Sequence, residues 1–169
     1  YDLTFARSDE SYYVGDLYNG VEITEVYTGF EEEIYSEVSS SVKGIIDLYG
    51  PTDITKMNDE LSSLSHIEPD SPEGCLIGGF NVLEHPELTG PTVVMNYIDS
   101  AREIPPVLIF HGTNDELVPF GQSCMLYDKL GQWRKEATFY AIENAHHGGR
   151  EFWSNQVLDI IEEFMYNIN

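Results

Sequence analysis

An aspartate and a histidine in the second half of the chain, Asp115 and His147, each follow an apolar run that leads into a turn. The chain between them has room for one loop, one helix and one returning strand, so we expect both side chains at the same edge of a sheet. A carboxylate that accepts a hydrogen bond from an imidazole N–H fixes the ring tautomer and stabilises the imidazolium that forms when the other nitrogen takes a proton. The pair therefore predicts the acid and the base of a nucleophilic triad.

Three apolar runs predict the strands that position this pair. They are VKGIIDLYGPTD from Val42, PPVLIFHGTND at residues 105–115 and ATFYAIENAHHGG at residues 137–149. Each run is rich in β-branched or aromatic residues and is closed by turn residues, which is typical of strands. The first two are expected to be buried, and the second to be buried on both faces.

Helices are expected between and after these strands. Residues 120–132 have apolar residues at helical spacing, with Gly131 near the helix end. Residues 56–90 have no sustained period and predict loop with one or two short helices. The terminal segment predicts an amphipathic helix, whose apolar face is formed by Val157, Leu158, Ile160, Ile161, Phe164, Met165 and Ile168.

Alternating strands and helices of this kind predict an α/β fold with a parallel sheet flanked by helices. Sheets in compact domains commonly have about five or six strands, so three strands after a long irregular start indicate the back half of a larger domain.

Three segments of the sequence resemble the last three core strands of an α/β-hydrolase, in the esterase and lipase branch that includes acetyl and feruloyl esterases. They are VKGIIDLYGPTD, IPPVLIFHGTNDELVPFGQS and FYAIENAHHGG, and the resemblance covers roughly residues 40–168. It implies that Asp115, the D of HG-x-x-D-x-x-VP, is the triad acid, and that His147, directly before the glycine pair, is the base. The chain then divides into an acidic, tyrosine-rich, irregular lead-in at residues 1–41 and the C-terminal half of a hydrolase domain at residues 42–169.

The sequence departs from that family because it has no recognisable nucleophile. In this fold the serine precedes the acid and the histidine and lies in a G-x-S-x-G elbow. Neither G-x-S-x-G nor an HGGG-like string occurs in the 169 residues. Ser123 follows the acid and lies on a predicted helix, and Cys75 and Cys124 lack the elbow spacing. We expect the serine and the oxyanion hole to be encoded upstream of Tyr1, and this chain alone to be inactive towards esters.

Other polar residues near the strand ends have less specific interpretations. Asp53, which ends the first strand segment, is an alternative partner for the base. His111 is expected to be a buried, hydrogen-bonded structural histidine, and His146 and Glu116 are assigned no role.

A metal site is not expected, because His146, His147 and Glu151 come from a single turn without a second ligand cluster. No cofactor is implied either. Trp133 and Trp153 are expected to pack, with a substrate cleft as the alternative place for Trp153.

The composition excludes several classes of partner. Thirty Asp and Glu residues against eight Lys and Arg residues leave a formal net charge of −22 and a pI near 4.2. Such a chain repels phosphate backbones and anionic lipid heads, so nucleic acids and membrane surfaces are not expected partners. No window approaches the roughly 18 consecutive apolar residues of a membrane span. The charge identifies no compartment, and a cytoplasmic location is the default expectation.

These observations favour a serine carboxylic-ester hydrolase, an esterase or lipase, acting on a small ester such as an acylated carbohydrate. One alternative is a prolyl-oligopeptidase-type serine peptidase, which carries a similar HG-x-x-D-x-x-VP string. Another is a non-catalytic interaction module that retains the hydrolase scaffold. Because half a sheet leaves an unpaired edge and an exposed apolar face, we also expect the isolated chain to associate with a second copy or to misassemble.

Overall fold

A three-stranded parallel sheet forms the centre of the structure, a computed structural model that describes residues 41–60 and 62–168. The predicted lead-in at residues 1–41 lies outside the described residues, apart from Ser41. The strands are ordered β1-β2-β3 in the sheet and comprise β1 (Ile45–Leu48), β2 (Val107–Gly112) and β3 (Ala137–Ile142). Both strand pairs are parallel, which confirms the predicted α/β fold.

Four α-helices accompany the sheet in the described part of the chain: α1 (Pro72–Leu76), α2 (Pro86–Thr89), α3 (Gly121–Gln132) and α4 (Asn155–Asn167). Short 3-10 helices occupy Ile54–Lys56, Gly90–Thr92, Val94–Tyr97 and Arg150–Trp153. The helix between β2 and β3 and the terminal helix lie where the sequence predicted them. The segment between β1 and β2 contains only short helices, also as predicted. None of the helices in the described ranges is long and apolar enough to cross a bilayer.

The central strand β2 is buried along its whole length. Alternate side chains point to opposite faces of the sheet, so Leu108 and Phe110 pack in one cluster with Phe152 and α4. Val107 and Ile109 pack on the other face, in a cluster with Leu126 and Leu130 of α3. The expectation that this strand is covered on both faces is therefore confirmed.

The expectation that β1 is fully buried is wrong, since all four of its residues are only partly buried. Within the described residues β1 pairs with β2 alone and so forms an edge of the sheet. An edge strand has a neighbour on one side only, which leaves its side chains less covered than those of a central strand.

The apolar face of α4 is narrower than its sequence predicted. Val157 and Ile161 are buried and Phe164 packs against the same cluster, whereas Leu158 and Met165 are each 42% exposed. In a helix of 3.6 residues per turn, Val157, Ile161 and Phe164 follow one another at spacings of four and then three residues and so form one stripe along the helix. Leu158 lies about 100° round the helix from Val157, beyond the contact stripe.

Truncation of one buried and one exposed residue of α4 tests this assignment. Ile161→Ala should lower the free energy of unfolding by about 2 to 4 kcal/mol, because it leaves a cavity against the sheet. Leu158→Ala on the same helix should change it by less than about 0.5 kcal/mol, as surface substitutions usually do. Denaturant unfolding of both variants measures the difference, and equal losses would contradict the helix orientation.

Candidate active site

The loops that follow β2 and β3 are joined by backbone hydrogen bonds at the carboxyl edge of the sheet. Thr113 N donates to Ile142 O at 3.0 Å, and Asn114 N donates to Ala145 O at 3.0 Å. The close approach requires a glycine at the end of β2, since a Cβ on Gly112 would lie 2.3 Å from Ala145 O. The parallel pairing and these hydrogen bonds bring the two loops together at the residues that just precede Asp115 and His147 in the sequence.

Asp115 and His147 meet directly at this edge. The Nδ1 atom of His147 lies 2.8 Å from Oδ2 of Asp115. The carboxylate oxygen can only accept, so Nδ1 carries the proton and Nε2 is left as the acceptor. The side chain of Asp115 is fully buried, whereas that of His147 is 29% exposed. The geometry is therefore that of an oriented, accessible imidazole supported by a buried acid.

Both oxygens of Asp115 are occupied by donors. Oδ1 accepts from the backbone N–H groups of Leu117 and Val118, each at 2.9 Å. Oδ2 accepts from His147 and also lies 3.3 Å from Nε2 of His111. Burial opposes ionisation of this carboxyl, but hydrogen bonds from His111, His147, Val118 and Leu117 outweigh that cost and hold the pKa of Asp115 well below its ordinary value. The acid is thus kept as a carboxylate.

His111 is the buried structural histidine that the sequence predicted, with its side chain fully buried. Its Nε2 lies 2.9 Å from Val118 O, to which it donates, and its Nδ1 lies 2.7 Å from the Ser123 hydroxyl. The sequence did not reveal its contact with Asp115. That contact depends on the turn that brings Val118 O back to the His111 ring. Ser123, excluded as a nucleophile by its chain position, serves as the partner of this ring.

Tyr49 is a site residue that sequence reasoning missed. Its ring centroid lies 4.4 Å from that of His147 and 4.7 Å from that of Phe152. Tyr49 has a φ of 52°, a left-handed conformation that is uncommon for a residue with a large side chain. The turn is braced by Asp47, whose Oδ1 accepts from Gly50 N at 2.9 Å. Burial and the charge of Asp115 raise the pKa of Tyr49, so its phenol stays neutral against the imidazole.

Asp53, the alternative partner of the base, is engaged elsewhere. Its Oδ1 accepts from the backbone N and the hydroxyl of Thr55 and caps the 3-10 helix that follows β1. Its Oδ2 lies 3.6 Å from Lys56 Nζ. The contact with the imidazole of His147 is made by Asp115 instead.

Trp153 does not pack as expected, because its side chain is 50% exposed. The preceding residue, Phe152, takes the buried position in the 3-10 helix Arg150–Trp153 and is fully enclosed. Neighbouring residues of such a turn point in different directions, so only one of the two aromatic rings can enter the core. His146 and Glu116 are both exposed.

Within residues 41–60 and 62–168, no group of three or more His, Cys, Asp or Glu side chains is arranged to hold a metal ion.

Comparison with known proteins identifies relatives of this chain. The BD-FAE family model matches residues 17–130, about two thirds of the chain. A structure described as a truncated form of a carbohydrate esterase from gut microbiota is 26% identical, with a TM-score of 0.69 over 78% of this chain and 44% of that one. A bifunctional GH43-CE protein from Bacteroides eggerthii is 25% identical, with a TM-score of 0.67 over 96% of this chain and 22% of that one.

A peptidase shares the fold at lower similarity. An acylaminoacyl peptidase in complex with a chloromethyl ketone is 20% identical, with a TM-score of 0.57 over 73% of this chain and 19% of that one. Among the curated proteins no match to the chain was found. The chain spans less than half the length of each of these three structures.

The lowered pKa of Asp115 predicts the sign of a pH effect on stability. A carboxyl that ionises more readily in the folded state adds stability above its unfolded pKa of about 3.9, and that stability is lost as the pH falls. The excess stability of the unsubstituted chain over Asp115→Asn should therefore be largest near neutral pH and shrink as the pH falls below about 4. Asp70→Asn, at an exposed position, is the matched control and should show no such trend. Denaturant unfolding at several pH values measures both differences; an Asp115→Asn deficit that stays constant with pH would contradict the assignment.

Proposed function

We propose that this chain, which belongs to the BD-FAE family of α/β-hydrolase-type esterases, supplies the acid and the base of a serine carboxylic-ester hydrolase. The observation that carries the proposal is the 2.8 Å hydrogen bond between His147 Nδ1 and the buried carboxylate of Asp115. In this proposal, residues 42–169 are the C-terminal half of the hydrolase domain, and the serine nucleophile and the oxyanion hole belong to sequence upstream of Tyr1.

In the proposed mechanism, Nε2 of His147 removes the proton from the attacking serine hydroxyl. Asp115 holds the ring in the tautomer that leaves Nε2 free to accept, and it stabilises the imidazolium that results. The imidazolium then gives its proton to the leaving alcohol, and an acyl-enzyme remains. His147 next removes a proton from water, which attacks the acyl group, and the acid and the serine are released. The partial exposure of the His147 ring lets it exchange protons with the substrate and with water, whereas the Asp115 carboxylate is closed to solvent.

The proposed substrate class is an ester of a carbohydrate. The support comes from the structure described as a truncated carbohydrate esterase, which matches this chain with a TM-score of 0.69. Trp153, six residues after His147 in the sequence, adds an exposed aromatic ring on which the apolar face of a sugar could stack.

A peptidase is the second candidate, because an acylaminoacyl peptidase shares the fold. The esterase fits better, because the matching family model and the structure of higher identity are those of esterases. Parallel assays with acyl esters and dipeptide amides separate the two reactions.

Substitution of the acid or the base tests the catalytic roles. In a protein that joins this chain to its upstream nucleophile segment, Asp115→Asn should lower kcat for ester hydrolysis by about 10,000-fold, because the neutral amide no longer selects the productive tautomer. His147→Ala should cause a loss of similar order. The rates follow from release of a chromogenic alcohol.

The neighbouring residue provides the matched control. His146→Ala removes an exposed imidazole one position away and should leave kcat within about twofold, as expected of a surface substitution. Near-normal rates for either Asp115→Asn or His147→Ala would refute the assignment of the triad.

The chain without its upstream segment should neither hydrolyse esters nor react with a fluorophosphonate probe, because the proposal places the nucleophile outside it. Mass spectrometry of the probe-treated chain measures this directly. Covalent labelling of any of its serines in stoichiometric yield would overturn the proposed division of the active site.

A further inference from the structure

Two serines from the segment between β1 and β2 contact the loop that holds Asp115. The backbone N–H and the hydroxyl of Ser63 donate to Glu116 O at 2.8 and 2.9 Å. The hydroxyl of Ser62 lies 3.0 Å from the same oxygen and 3.3 Å from Leu117 O. One carbonyl oxygen of the loop that holds Asp115 (residues 113–120, here the acid loop) thus receives three contacts from a segment more than 50 residues earlier in the chain.

Ser62 is itself held by a buried histidine and glutamate. Its Oγ lies 2.8 Å from Nε2 of His66, and Nδ1 of His66 lies 3.0 Å from Oε1 of Glu73. Only 2% of His66 and 8% of Glu73 is exposed. Nδ1 and the carboxylate are close but are not aligned as a hydrogen bond. Asn58 Oδ1 accepts from His66 N at 2.9 Å and holds the backbone of the histidine.

The order serine, histidine, carboxylate is that of a nucleophilic relay, but the surroundings of Ser62 do not suit a nucleophile. A nucleophilic oxygen needs hydrogen-bond donors beside it to stabilise the oxyanion that forms on attack. Beside Ser62 Oγ there is one long donor contact, Leu64 N at 3.3 Å, and there are two carbonyl oxygens, those of Glu116 and Leu117, which would repel that charge. The three residues are therefore placed to hold the loop rather than to react.

The part of the loop that these residues hold consists of the two peptide groups whose N–H groups donate to Asp115. Glu116 O and Leu117 N belong to the same peptide unit, as do Leu117 O and Val118 N. Glu116 O accepts from the N–H and the hydroxyl of Ser63, and the single hydroxyl proton of Ser62 faces both carbonyls. Each of the two N–H groups donates to Oδ1 of Asp115 at 2.9 Å. Hydrogen bonds in such a chain polarise one another, so a donor at the carbonyl strengthens the N–H as a donor.

We propose that Ser62, which is held by His66, and Ser63 are positioning residues for the catalytic acid. They fix the peptide units 116–117 and 117–118 and so set the orientation of the Asp115 carboxylate towards His147. This inference rests on the proposed esterase function, because the acid acts only if the triad does. On this basis, the segment between β1 and β2 determines the geometry of the active site together with the sheet.

The test compares Ser62→Ala/Ser63→Ala with the unsubstituted enzyme, again in the protein that carries the upstream nucleophile segment. We expect kcat to fall about 10-fold with KM unchanged, since a small misplacement of a catalytic group costs up to about 100-fold in rate. The low-field proton resonance of His147 Nδ1–H should move upfield, because its hydrogen bond to Asp115 weakens. Ser62→Thr/Ser63→Thr keeps both hydroxyls and should restore both readouts.

Two further variants make the result decisive. Ser65→Ala removes an exposed serine of the same segment and should change neither kcat nor the resonance. Ser63→Ala alone alters an exposed residue, so it provides the test if the double variant fails to fold. It should lower kcat about threefold, because the loss of one hydroxyl displaces the Asp115 carboxylate less than the loss of two.

The outcomes separate this inference from the proposed function. If Asp115→Asn abolishes activity but the serine variants leave kcat and the resonance unchanged, the positioning role is wrong and the triad stands. If Asp115→Asn retains activity, the proposed function fails first. A fall in kcat that the threonine variants do not restore would also overturn the positioning role, because the hydroxyls would not be its cause.

Discussion

The hydrogen bond between His147 and Asp115 is the contact on which the functional interpretation of this molecule depends. It forms because β2 and β3 pair in parallel and release their loops at the same edge of the sheet. The loops approach closely only because Gly112 has no side chain to collide with Ala145 O. A change in strand pairing or in that glycine would therefore separate the acid from the base without touching either residue.

Keeping a carboxylate ionised away from water is costly, and the structure offsets that cost with donors from separate segments. The acid loop supplies two backbone N–H groups, β2 supplies His111 and the loop after β3 supplies His147. Each donor is itself fixed by another contact, as Ser123 fixes His111. Removing one donor leaves part of a buried charge uncompensated, so the cluster acts as a unit rather than as a sum of pairs.

As a member of the BD-FAE family, the chain has an α/β-hydrolase fold, yet it spans less than half of the solved structures that it resembles. In the proposed esterase, the acid and the base would lie in one part of the domain and the nucleophile in another.

The strands, the two longer helices and the position of Asp115 were predictable because short stretches of sequence encode them. The apolar runs predict the three strands found within the described residues, helical spacing predicts α3 and α4, and the HG-x-x-D-x-x-VP string identifies Asp115 as a candidate site residue. The errors were in burial: β1 is only partly covered, Leu158 faces outward and Trp153 is exposed. Periodicity shows which residues share a face, but not how far the neighbouring element extends over it.

The residues that surround the acid had no such pattern. Tyr49 reaches His147 through a left-handed turn, and Ser62 reaches the acid loop across more than 50 intervening residues. Contacts of this kind depend on where loops close in three dimensions, and loop closure is governed by packing between segments that are distant in sequence. The amino-acid order thus specified the elements and the Asp115–His147 pair, whereas the contacts that orient that pair and keep Asp115 ionised arose from the way those elements pack.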